Sequence, residues 1–443
     1  MASPAQSTTS IFDLNLQTGT LVVFVALVTA MAIVGVPAAQ AQTFTVIHSF
    51  GGHDGYVPSA GLTMDHAGNF YGTTRNGGSF DNGPFCSVYA QIGCGTVFKL
   101  IRHGADWQLS PLFLFDGPDG AYPTTPVTIA PSGIVFGTTS VGGMCTSSPY
   151  GCGTLLNLSP PVRNPPSIIY SWTELLLHDF SGNNDGGPLP GALIFDNSGG
   201  NLYGTSYWGG PTQSGLVFEF TPSGGGNWTE NVLYTFQGAG DGSGPQDVVA
   251  DAGFDHLFGV TGLGGNDGCD RNGCGTIYEL TRSGSGWTKT TLHIFTDGSD
   301  GAWPAGAPVM DSAGNLYGAD PGAFVSTGTV WEMSPSQGGW TFTVLYTFTG
   351  CPNCGPFSGV TMDAAGNLYG TTFNGGAFGQ GNIFQLSPSG GSWTYTDLHD
   401  FTGGADGGAP KGKLTIDANG NVYGTTTHGG TDGVNGVIWE ITP

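Results

Sequence analysis

Basic side chains are scarce in this chain. Nine Lys and Arg stand against 32 Asp and Glu in 443 residues, for a net charge of −23. Binding to nucleic acid or to an anionic membrane needs clustered cations, and these nine are scattered, so neither partner is expected. Long apolar runs are also missing, with one exception from Leu21 to Val36. That run is short for a bilayer-spanning helix, and it is followed by Ala39-Gln40-Ala41, the small-x-small form of a signal-peptidase site. No Lys or Arg precedes the run, although signal peptides carry a basic leader. Residues 1–41 therefore read as a cleaved signal peptide, with an uncleaved N-terminal anchor as the alternative. Once the signal is cut, no insertion into a membrane is expected. The mature chain would be secreted and extracellular, with the periplasm or the cell surface also open. Catalytic signatures are missing too: no G-x-S-x-G elbow, no HExxH, no P-loop and no dinucleotide fingerprint in a strand-helix-strand setting. No catalytic residue is assigned.

Eight cysteines fall into close pairs: Cys86 with Cys94, Cys145 with Cys152, Cys269 with Cys274, and Cys351 with Cys354. An even count in local pairs predicts loop disulfides formed in an oxidising compartment. A zinc knuckle would need a second CxxC at suitable spacing, and only Cys351 to Cys354 has that form.

Glycine is abundant, at 80 residues, alongside 12% aromatics. The glycines recur in register with apolar pairs, as turn-rich β structure requires. A closing Phe returns at Phe50, Phe115, Phe180, Phe236, Phe295, Phe348 and Phe401, seven times at intervals of 53 to 65. Six of these have a Trp eight positions earlier: Trp107, Trp172, Trp228, Trp287, Trp340 and Trp393. An even separation predicts that Trp and Phe share one face of an extended strand. Each repeat then holds four short strands. In sequence order these are strand a (as in 359–362), strand b (367–372), strand c (328–333) and strand d (340–348). Four antiparallel strands at this period predict a blade of a β-propeller.

The fold expected is all-β, a seven-bladed β-propeller of four-stranded blades. The seventh repeat stops at its strand c, Val437-Ile438-Trp439-Glu440-Ile441. The segment 43–50 matches strand d, so the N-terminal strand is expected to complete the last blade and close the ring. Residues 42–443 would form one domain. Its blades run approximately over 51–115, 116–180, 181–236, 237–295, 296–348, 349–401, and 402–443 with 42–50.

Three segments carry a resemblance to a known family: Gly-Asn-Leu-Tyr-Gly-Thr-Thr (366–372), Cys-Gly-Thr-Val-Phe-Lys-Leu (94–100) and Trp-Thr-Glu-Asn-Val-Leu-Tyr-Thr-Phe (228–236). They resemble the glycine-rich bacterial Gloeo/Verruco (GloVer) tandem repeats, over essentially all of 43–443. That resemblance implies an exported bacterial repeat protein and no particular activity. The a–b hairpin alone is similar to NHL-type and gluconolactonase-like propellers, and none of their metal ligands can be placed on this chain.

Three groups of residues are candidates for function. Asp54, Asp119, Asp185, Asp241, Asp300 and Asp406 each precede a Gly in a d–a loop. Together they could hold a cation, with Ca²⁺ favoured by all-oxygen ligands, but Asp-Gly is also simply a turn dipeptide. The histidines His48, His178, His293 and His399 stand two before the closing Phe, where other repeats have Phe113, Tyr234 and Tyr346, so they read as packing residues. Finally, Tyr56, Trp208 and Trp303, with Phe85, Tyr89 and Tyr150 in cysteine-bridged loops, could form an aromatic rim that stacks on sugar rings.

The expected function is therefore a monomeric, non-catalytic binding module for glycans or surface polymers. The alternatives are a carbohydrate-active hydrolase or lyase, a metal-dependent lactonase, and a structural envelope protein.

Overall fold

A computed structural model describes residues 42–443 except 79–85, 87–92, 105, 146–150, 162–170, 188–190, 285 and 351–353. The leader expected over 1–41 lies outside the described residues, as do Phe85, Tyr89, Tyr150 and Cys351.

The strands form seven four-stranded antiparallel sheets. Blade 4 has the longest inner strands, with strands a to d at Ser243–Ala250, His256–Leu263, Thr276–Ser283 and Gly286–Ile294, whereas strand a is only two residues long in blades 1, 2, 3, 6 and 7. Six sheets use consecutive strands. In the seventh, Thr43–Ser49 pairs with Val437–Thr442, setting Phe44 opposite Ile441 and Val46 opposite Trp439. The N-terminal strand thus supplies strand d of the last blade. Among the described residues the only helical element is one 3₁₀ turn, Ala239–Asp241.

Seven apolar clusters fill the spaces between sheets, one for each neighbouring pair. The series returns on itself: Phe50, Tyr423 and Ile438 of blade 7 pack with Leu62, Phe70 and Phe98 of blade 1. Seven sheets joined by seven interfaces form a ring with no free edge between first and last blade.

The repeat's glycines follow from this packing. In six blades an aromatic side chain of strand c covers the Gly of strand b, so that a Cβ on Gly370 would meet the Phe384 ring and one on Gly259 the Tyr278 ring. The Gly opening strand c has φ near +90° in every blade, for example +98° at Gly95 and +95° at Gly275. The Pro of the next blade's d–a loop rests on that Gly: Pro123 on Gly95, Pro304 on Gly275 and Pro410 on Gly381.

One expectation is corrected. Trp and the closing Phe do not share a face. Where strand d pairs with strand c, each blade skips one residue: Ile47, Leu112, Leu177, Leu233, Leu292, Leu345 or Leu398. This β-bulge inverts the alternation between Trp and Phe. Trp228 accordingly packs between blades 2 and 3, and Phe236 between blades 3 and 4.

Antiparallel order also sorts the loops. The a–b and c–d turns emerge on one face, and the b–c and d–a loops on the other. On the second face the two loop types pair with each other, Tyr56 with Asn76, Ala121 with Val141 and Gly408 with His428.

Candidate functional site

Each d–a aspartate is held by its own turn. Asp54 accepts the Gly51 N–H at 2.8 Å, Asp241 the Gln237 N–H at 2.8 Å, and Asp300 the Thr296 N–H at 3.1 Å. Asp406 accepts the Thr402 N–H at 2.9 Å, and Asp119 the Asp116 N–H at 3.0 Å. The residue two before the closing Phe reaches the same carboxylate. His48 Nε2 is 2.8 Å from Asp54, His293 Nε2 3.1 Å from Asp300 and His399 Nε2 3.2 Å from Asp406, while the Tyr234 hydroxyl donates to Asp241 at 2.8 Å. These histidines also lie edge-on to the closing Phe, at about 5 Å. They are packing residues with a polar tip that anchors the turn. Burial pushes Asp54 and Asp300 up, but the hydrogen bonds from His48 and His293 and from the turns outweigh it and hold both below the usual carboxylate range. Asp119 has Phe113 in place of a histidine. Burial, reinforced by the charge of Asp116, carries it up to about 7 despite its backbone hydrogen bonds.

Asp185 differs from the rest. Its histidine is shared between two carboxylates: His178 Nε2 is 3.3 Å from Asp185 Oδ2 and 3.7 Å from Glu230 Oε2. Among the described residues, this is the only group of three His, Cys, Asp or Glu side chains close enough to hold one metal ion. Burial and the charge of Asp185 push Glu230 up to about 8. Glu230 was not a sequence candidate. Its signal was an acid standing six before the closing Phe, where blades 5, 6 and 7 carry Phe342, Tyr395 and Phe44.

The disulfides Cys86–Cys94, Cys145–Cys152 and Cys269–Cys274 are formed, with Cα separations of 5.1, 5.6 and 5.2 Å. Cys354 is also disulfide-bonded. These bridges brace the b–c loops of blades 1, 2 and 4 and the d–a loop of blade 6.

The aromatic candidates sit on the face that carries these loops. Trp208 is 38% exposed and lies edge-on to Tyr207 at 5.0 Å. Trp303 is half-buried. Its indole N–H donates to the Gly273 carbonyl at 3.3 Å, and its ring meets that of Phe324 at 5.3 Å. Tyr56 is half-buried, its backbone paired with Asn76. Sequence reasoning singled out the irregular segment 319–324 of blade 5, which ends in Phe324, but missed the other highly exposed members of the rim. Phe324 and Phe378 are 56% and 61% exposed, and Met144, Val325 and Val434 are exposed as well. All stand on b–c loops, in blades 2, 5, 6 and 7, and Trp208 adds blade 3. Among the described residues, the remaining exposed large apolar side chains, Leu114, Leu175, Leu176, Val232 and Ile294, lie on outer strands, and none is on an a–b or c–d turn.

Converging carboxylates would mark a hydrolase. On the inner strands, Asp247 of blade 4 is raised by burial, and it is in electrostatic reach of Lys413 of blade 7, which burial lowers. The other raised carboxyls, Asp119, Glu174, Glu230, Asp320 and Asp397, lie on outer strands, a loop and a strand end. The inner strands therefore bring one raised carboxylate, not a pair, to the ring's centre among the described residues.

The geometry defines a class: a disulfide-braced, seven-bladed propeller that carries its exposed apolar side chains on one loop face. The chain belongs to the Gloeobacter/Verrucomicrobia repeat family, which matches residues 146–361 and 319–443. No curated protein sequence matches it. Among solved structures it is similar to a triple mutant of AofleA from Arthrobotrys oligospora, at 11% identity and TM-score 0.42, covering 82% of this chain and 92% of that one. A gluconolactonase from Xanthomonas campestris matches at 12% identity and TM-score 0.37, over 61% of this chain and 75% of that one. A putative oxidoreductase (glucose dehydrogenase) from Thermus thermophilus matches at 14% identity and TM-score 0.42, over 90% and 99% respectively.

Proposed function

We propose that this protein is an exported, non-catalytic binding module that holds an uncharged polysaccharide on its b–c loop face. One observation carries the reading: Met144, Trp208, Phe324, Val325, Phe378 and Val434, from the b–c loops of five blades, are exposed on the same face, and the opposite turns expose nothing comparable among the described residues. Such a grouping of apolar side chains marks a contact surface. Aromatic rings suit the apolar faces of sugars, and Trp303, Phe324 and Phe378 come from adjacent blades. The charge of −23 repels anionic polymers and so favours a neutral ligand. The disulfides and the small-x-small site after the apolar run support a location outside the cell.

The test is a polysaccharide array probed with residues 42–443 and with Trp208→Ala, Phe324→Ala and Phe378→Ala. Binding to neutral polymers that weakens roughly tenfold for at least one ring variant is expected, since a stacked ring contributes on the order of 1 kcal/mol or more. An absence of binding, or binding indifferent to all three substitutions, would refute the reading.

A further inference from the structure

The outer strands of neighbouring blades touch through a repeated pair: the residue two before the closing Phe in one blade, and the residue six before it in the next. In three junctions two rings stack there. His399 lies on Phe44 at 3.7 Å, His293 on Phe342 at 3.9 Å, and Tyr346 on Tyr395 at 4.5 Å. Between blades 2 and 3 the pattern breaks, because His178 meets Glu230 instead of a ring.

The exchange is costly as it stands. The Glu230 side chain is only 10% exposed, its Oε1 has no hydrogen-bond partner, and its Oε2 has His178 Nε2 only at ion-pair distance, 3.7 Å. Burying a carboxylate with one oxygen unpartnered and the other in a long ion pair is unfavourable, and an apolar ring at this position would avoid the penalty, as it does in three other blades.

We propose that His178, Asp185 and Glu230 bind one divalent transition-metal ion of the zinc class, which clamps blade 2 to blade 3. One imidazole nitrogen and two carboxylates form a donor set that suits zinc rather than the all-oxygen shells of Ca²⁺ or Mg²⁺. The separations from His178 Nε2, 3.3 Å to Asp185 and 3.7 Å to Glu230, fit this assignment. Donors about 2.0–2.2 Å from a tetrahedral ion stand roughly 3.3–3.6 Å apart. Two carboxylates and a neutral imidazole also balance a charge of +2. Asp185 is already oriented, because the Ser181 N–H and hydroxyl donate to its carboxylate. Such outer support is how proteins fix a ligand's direction. One blade earlier, Glu174 is also enclosed, but Phe113 stands where His178 would be, and no three-donor group forms there among the described residues.

The experiment uses residues 42–443, stripped with EDTA and titrated with Zn²⁺ against a chromophoric chelator at pH 7.5. The variants are Glu230→Tyr and His178→Phe, each carrying a residue that the repeat itself uses at that position (Tyr395 and Phe113), with His293→Phe as the control. One equivalent of Zn²⁺ is expected for the parent and for His293→Phe, with binding at least tenfold weaker in the other two. A thermal shift on adding Zn²⁺ should appear only where the equivalent binds. The proposal is overturned if the parent takes up no stoichiometric Zn²⁺, if both site variants keep it, or if the control loses it equally.

Discussion

Adding one methyl group to two equivalent glycines should move stability in opposite directions. Gly318 and Gly137 occupy the same position of strand b, in blades 5 and 2. A Cβ on Gly318 would run into the Trp331 indole, with Cη2 2.5 Å and Cε2 2.8 Å away. Trp331 is 1% exposed and packed with Phe258, Ile277, Phe295 and Met333, so it has nowhere to go. Forcing a methyl into such a core costs about 1–3 kcal/mol. At Gly137 the strand c residue is Leu156, and the nearest atom to a Cβ is Val127 Cγ1 at 3.6 Å, ordinary contact. Gly137 has no positive φ, so Gly137→Ala removes unfolded-state entropy without strain and should gain about 0.4–1 kcal/mol. Urea unfolding at fixed pH under oxidising conditions measures both. A double-mutant cycle isolates the cause: in a Trp331→Leu background, which copies the blade 2 pairing, the penalty of Gly318→Ala should disappear, a coupling of about 1–3 kcal/mol. Equal effects at the two glycines, or a penalty that survives Trp331→Leu, would refute the reasoning.

Two further predictions concern pH. Asp320 is fully buried at a position where six blades carry Thr or Ser, and burial raises it to about 7 although Thr329 and the Ala302 and Gly322 N–H groups donate to it. A raised acid favours its neutral form, so the wild type should lose stability relative to Asp320→Thr as pH climbs from about 4 to about 7. The loss is at most about 1.4 kcal/mol per pH unit, and urea midpoints that run parallel for the two proteins from pH 4 to 8 would contradict it. The a–b turn aspartate Asp363 has the opposite sign. Burial pushes Asp363 up, but the Asn367 side chain at 2.8 Å and the Ala365 and Asn367 N–H groups at 2.9 Å outweigh it and hold the carboxylate low. Its contribution is therefore present above about pH 4 and lost as pH falls through the lower folded value. Asp363→Ala should cost about 1–2 kcal/mol at pH 7 and progressively less as pH falls below about 4, read from the same unfolding curves.

Architecture was legible in the sequence because every layer of a blade repeats. The Trp and Phe positions, the Gly under each strand c aromatic and the Asp of each a–b turn recur seven times or nearly so, and a repeated constraint shows through loops of varying length. The bulge in strand d was not legible. Counting residues from Trp228 to Phe236 gives an even separation, and nothing in Asn-Val-Leu-Tyr marks Leu233 as the residue that loses its partner. The rim was legible only in part. Trp208 and Trp303 stand out by type, whereas Phe378 lies in an ordinary Gly-rich loop, and its 61% exposure depends on how that loop turns.

The departures from the repeat carry the most chemical information, and they need the structure to be interpreted. Glu230 in sequence is one acid among 32. Only the ring brings it against His178 from the preceding blade, since the residues are 52 apart and belong to different repeats. The same junction is held by stacked rings three times elsewhere, so the fold does not require a carboxylate there. A buried Glu that the architecture does not need, beside a His and an Asp that its turn already orients, therefore calls for a ligand more strongly than the six recurrent loop aspartates do. Apart from Asp185, which belongs to that group, those aspartates are each accounted for by the turn they cap. A change at Glu230 should accordingly alter metal binding while leaving the ring intact, whereas a change at a glycine under a strand c aromatic, such as Gly318, should disturb the ring itself.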